Sequence, residues 1–121
     1  VFFISIIYFE FISPYFFDKE EGDFLYTELQ ESHMENGKYK RDGILWMERK
    51  TEEPLTGLVY DYTEGGKRIE FGMLFDGHQH GIWRFFHENG KPSMENVYVF
   101  GEFQETTKRW DIDGILFENN Y

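Results

Sequence analysis

From residue 36 onward the chain alternates short aromatic and β-branched runs with glycine-marked turns. Asn36-Gly37, Asp42-Gly43, Gly65-Gly66, Asp76-Gly77, Asn89-Gly90 and Asp113-Gly114 are pairs of the type that supplies positive φ in tight hairpins. Between them lie Leu58–Thr63, Ile82–His87 and Val97–Phe100, and no window sustains a helical period. The pattern predicts an all-β chain of antiparallel hairpins.

The spacing is regular. Gly66, Gly90 and Gly114 fall 24 residues apart, as do Gly57 and Gly81, and Gly77 and Gly101. Tyr62, Phe86 and Trp110 keep an aromatic four residues before each hairpin glycine. Superposed glycine and aromatic series at one period are the mark of a repeat protein. In one unit, Ile82–His87 runs out to the Asn89-Gly90 turn, returns through Lys91–Phe100 and turns again near Gly101. The glycines at 57, 66, 77, 81, 90, 101 and 114 are thus expected to be structural turn residues. An isolated hairpin is marginal in water, so each unit must lean on its neighbours' aromatic faces. The return strands do not superpose cleanly. Ile69, Phe71, Met73 and Phe75 alternate on odd positions, whereas Met94, Tyr98 and Phe100 have Val97 and Val99 between them. That mismatch predicts a bulge or register change. In the third unit Glu105 replaces the expected glycine.

The N-terminal part is different material. Residues 1–17 are almost wholly apolar, with Glu10 their one charge. The run is short for a membrane span and lacks a basic lead-in, so it is read as the tail of an export signal. The alternative is a hydrophobic segment packed on the domain. Membrane contact is expected only if residues 1–17 act as signal or anchor, and an exported or envelope-associated location is favoured over a cytoplasmic one. From Asp18 to Glu35 seven acidic residues face one Lys. Residues 18–36 are therefore read as a solvated acidic linker, and 37–121 as the repeat domain.

At 121 residues the chain is one domain. Its 14 Phe, 8 Tyr and 3 Trp exclude intrinsic disorder. Twelve basic against 23 acidic residues give a net charge of −11, which repels phosphate backbones, so no nucleic-acid partner is expected. The absence of cysteine removes disulfide scaffolds, thiol catalysis and thiolate zinc sites.

Candidate chemistry is sparse. His78 and His80 lie in a turn flanked by Gly77 and Gly81 with no third ligand placed by the sequence, and with His87 they are read as solvated turn histidines. Asp111-Ile112-Asp113-Gly114 begins like a calcium loop, but Ile115 stands at a ligand position and no Glu closes it. Glu20-Glu21 and Glu52-Glu53 are carboxylate pairs without a cleft to flank. No nucleophile elbow, phosphate loop or zinc-protease motif is present. No catalytic residue, metal or cofactor is expected, and the chain is read as a non-enzyme.

The stretch from His80 to Lys91 (HGIWRFFHENGK) resembles the G-x-W-x-x-Y/F-x-x-N-G-K unit of the MORN-repeat variant. Upstream, Asp42 to Trp46 and Glu53 to Val59 are similar to the D-G-x-x-Y and E-P-F-T-G-x-V lead-in of the YwqK family of toxin–antitoxin antitoxins, with Trp46 and Leu55 as departures. The resemblance spans about residues 37–118. It implies an elongated hairpin array with a protein-binding role and brings no catalytic residues. An acidic antitoxin masking a basic toxin is electrostatically sensible. The aromatic sheet face expected to bind the partner comprises Trp83, Phe85, Phe86, Trp110 and Tyr62. Strand alternation sets Trp83 and Phe85 opposite Phe86, with Phe86 and Trp110 stacked along one side. The rival is an exported carbohydrate- or envelope-binding repeat protein whose aromatics stack on sugars.

Overall fold

The computed structural model describes residues 22–117, so the expectations for residues 1–17 lie outside the described residues. The chain is mainly β. In order it forms β1 (Phe24–Leu25), α1 (Tyr26–Gln30), a 3-10 turn (Glu31–His33), β2 (Tyr39–Asp42), β3 (Leu45–Glu48), β4 (Gly57–Tyr62), β5 (Arg68–Phe75), β6 (His78–Phe86), β7 (Pro92–Val99) and β8 (Glu102–Arg109). Strands β4 to β8 form an antiparallel meander. With β1 parallel to β4 at one end they make a six-stranded sheet, while β2 and β3 pair separately.

The turns follow the glycine pairs. Gly66, Gly90 and Gly114 all have positive φ, and the same bonds close each turn. Thr63, His87 and Asp111 donate their backbone N–H to the carbonyls of Lys67, Lys91 and Ile115. Gly66, Gly90 and Gly114 donate back to Thr63, His87 and Asp111. Gly90 is buried, and a Cβ there would lie 2.8 Å from the Thr63 methyl, so adjacent turns stack closely. Gly77 and Gly101 close the turns at the other end of the sheet. Two glycines expected in turns are not there: Gly57 opens β4 and Gly81 lies within β6. At Gly57 a Cβ would overlap the Gly22 carbonyl. At Gly81, φ of +83° bends the strand where it leaves β5 and takes up β7 as partner.

The register shifts explain the uneven apolar pattern. Val59 pairs with Gly72 and Tyr60 with Glu70, leaving Phe71 as an extra residue in β5. An extra residue reverses the alternation. Phe71 and Leu74 are accordingly buried, while Met73 and Phe75 are each 45% exposed.

Residues 24–33 are not a solvated linker. Phe24 and Leu29 are buried with Tyr39, Leu55, Val59, Phe71, Leu74 and Trp83 in one core cluster. Few apolar residues suffice here because the sheet supplies the rest of the surface. Asp61 of β4 accepts bonds from the backbone N–H (2.9 Å) and hydroxyl of Thr27, fastening the start of α1 to the sheet. Arg49 donates to the carbonyls of Ser32, Gly37 and Tyr39 (2.6–3.0 Å), which binds the 3-10 turn to the β2–β3 hairpin. That hairpin docks on the Gly77 turn: Trp46 N–H donates to Gly77, Gly77 to Leu55 and Leu55 to Trp46. The sheet therefore has one face covered by N-terminal elements and one face open.

Candidate functional site: two clefts and an open sheet face

Trp83 is 2% exposed and is core. Its indole N–H donates to the Met73 carbonyl at 3.0 Å, and its ring lies so close over Gly72 that a Cβ there would be 2.7 Å away. Phe85 and Phe86 do not divide between the two faces, and between them the register shifts, Phe85 pairing with Met94 and Phe86 with Pro92. Both rings instead meet Phe71 edge-on, at 6.3 and 5.2 Å. Trp110 stands apart under the Arg84 guanidinium, 5.6 Å from its centroid. Tyr62 is half exposed beside Tyr60. The expected stack of Phe86 on Trp110 is thus replaced by two separate pairings.

The structure does gather Tyr62, Phe85 and Phe86 at one place. They line a cleft of about 530 Å³ on the covered face with Tyr26, Ile69 and Phe71. Tyr26 stacks on Phe71 at 4.0 Å, and burial raises its pKa. Three carboxylates, Asp61, Glu64 and Glu88, complete the lining together with Thr63 and His87. Burial works to raise the Asp61 pKa. The Thr27 hydroxyl and the backbone N–H groups of Tyr62 and Thr27 outweigh it and hold Asp61 below the usual carboxylate range. Glu64 and Glu88 occupy the same place in successive turns, a spacing visible in the sequence once the period is seen.

A second cleft of about 490 Å³ shares Tyr26 and Phe85 with the first. Trp46, Trp83 and Tyr98 supply its rings, and Gln30, Gln79 and Arg41 its polar groups. Arg41 sits 4.9 Å over the Trp46 ring.

On the open face Met73, Phe75, Ile82 and Phe100 are all at least 45% exposed. Phe100 packs 4.4 Å from His80 and 6.1 Å from Phe75, and Met73 pairs directly with His80. Met73, Phe75 and Phe100 thus gather around His80, and Ile82 follows two residues along β6. Phe100 has φ of +44°, a left-handed conformation where Asp76 or a glycine is the easier residue. His80 is not a solvated turn residue: it lies in β6, and its Nδ1 accepts the Phe100 backbone N–H at 3.0 Å. His78 is also in β6, and His87 approaches the Trp110 carbonyl at 3.0 Å. The Asp111 carboxylate accepts the N–H groups of Asp113 and Ile115, closing a turn. Among the described residues no group of three His, Cys, Asp or Glu could hold a metal ion. No protein-family model, curated protein or solved structure matches this chain.

Proposed function

We propose that the chain is a non-catalytic protein-interaction module of the MORN-variant class, a hairpin repeat of period 24 that binds a protein partner through its open sheet face. The observation that carries this reading is the exposed group of Met73, Phe75, Ile82 and Phe100. Apolar patches of this kind on a folded surface mark interaction sites. Phe100 strengthens it, since a bulky residue held at positive φ is strain that packing alone does not require. The repeat reading is supported by identical turn bonds at Thr63, His87 and Asp111. It is supported also by β4 and β5 lying 24 residues before the paired segments Gly81–Phe86 and Pro92–Val99. A net charge of −11 suits a basic partner, as an antitoxin-like role requires.

The rival reading, an exported carbohydrate- or envelope-binding repeat, is favoured by the second cleft. Its rings and side-chain amides are the groups that hold a sugar. Affinity capture on the immobilised chain separates the two. The interaction reading expects a discrete, stoichiometric protein and no retention of soluble polysaccharide; the rival expects the reverse.

A further inference from the structure

The chain pairs guanidinium groups with aromatic rings and carboxylates repeatedly. Arg68 lies 4.1 Å over Tyr60 and is flanked by Glu70 at 3.2 Å and Asp23 at 3.7 Å. Arg84 lies over Trp110 and reaches Glu95 at 2.8 Å. In each case the ring face and the anion draw the same cation. The first cleft has both halves of this arrangement. Tyr26, Phe71, Phe85 and Phe86 provide ring surface, and Asp61, Glu64 and Glu88 provide negative charge. Its lining contains no Lys or Arg, its one basic side chain, His87, lies against the Trp110 carbonyl at 3.0 Å, and among the described residues none of the three carboxylates is in an ion pair. Asp61 is ionised and answered only by neutral donors from Thr27 and Tyr62.

We infer that this cleft is a recognition site for an arginine side chain of a basic protein, the guanidinium lying against the aromatic wall between the Glu64 and Glu88 carboxylates. The site deepens the interaction reading by naming the chemistry of the partner. It lies on the covered face of the sheet, so it adds a second point of contact to the open face. Arginine suits it better than lysine, because a planar fork can lie on a ring and still donate to two carboxylates. The cleft also has the size of an ordinary ligand pocket.

The test is titration of the isotopically labelled full chain with N-acetyl-Gly-Arg-Gly-amide, followed by backbone amide shifts. The citrulline peptide, isosteric and uncharged, is the comparison. The expected result is saturable shifts clustered at Tyr26, Glu64 and Phe85–Glu88 with the arginine peptide only. Glu64→Gln/Glu88→Gln should weaken binding about fivefold or more, since two attracting charges are lost from turns that use neither carboxylate for folding. Phe100→Asn, on the open face, should leave the titration unchanged. Failure of the open-face reading therefore does not touch this result. Equal shifts with the citrulline peptide, shifts confined to other surfaces, no saturable shifts, or undiminished binding by the double variant would overturn the inference.

Discussion

Gly72→Ala adds one methyl group and should destabilise the fold through Trp83 alone. The new Cβ would lie 2.7 Å from Cδ1, Cδ2 and Cε2 of the indole, well inside contact distance. The ring has little room to retreat: it is 2% exposed, flanked by Phe85 at 6.3 Å and Tyr98 at 6.5 Å, and tied to the Met73 carbonyl. Overpacking of this sort costs about 1–3 kcal/mol, and straining the indole hydrogen bond adds about 1 kcal/mol. Reduced freedom of the unfolded chain returns roughly 0.5 kcal/mol. The net expectation is about 2–3 kcal/mol, a fall in Tm on the order of 10–20 °C for a domain of this size. Urea unfolding followed by circular dichroism measures it, and a double-mutant cycle isolates the cause. In a Trp83→Leu background the smaller side chain leaves room for the methyl, so Gly72→Ala should become nearly neutral, giving a coupling of about 2 kcal/mol. A neutral Gly72→Ala in the parent, or the same penalty in both backgrounds, would mean that Trp83 is not packed on β5.

Gly90→Ala should destabilise more than Gly66→Ala in the same unfolding assay. Both share the left-handed penalty of about 1–2 kcal/mol, but only Gly90 also meets the Thr63 methyl, while nothing lies within 4 Å of a Cβ at Gly66. Phe100→Gly should raise stability by about 1 kcal/mol in thermal melts, by removing a side chain held at positive φ and half exposed. The Arg84 hydrogen bond, aided by Thr107 against the opposing effect of burial, holds the Glu95 carboxyl below its ordinary 4.5. Its contribution is therefore complete above that value and lost as pH falls through the depressed native value; Glu95→Gln should flatten the pH dependence of unfolding in that acid window.

Much of the architecture is legible in the sequence because turn chemistry is local. Asn89-Gly90 or Asp76-Gly77 needs no distant partner to specify a hairpin. What escapes is whatever depends on register. The gathering of Phe85 and Phe86 against Phe71 comes at a register shift between β6 and β7 that the spacing of β6 alone does not announce. The exposure of Met73 and the burial of Leu74 likewise turn on Phe71 being unpaired, and period-two alternation carries no such information. The N-terminal cover escapes for another reason: Phe24 and Leu29 sit in an acidic stretch, and their burial is decided by the sheet beneath them. The first cleft is half legible, with Tyr62, Phe85 and Phe86 recognisable as an aromatic group. Tyr26 and Phe71 join it only through tertiary packing.

The proposed binding of a protein partner at the open sheet face is tested by affinity capture on the parent chain and on a Phe75→Ser/Ile82→Ser/Phe100→Ser variant, each shown by circular dichroism to be folded. These side chains are 45–61% exposed, so the variant should keep its fold. The protein retained in stoichiometric amount by the parent should be lost from the folded variant. Equal retention of that protein by both chains would contradict it.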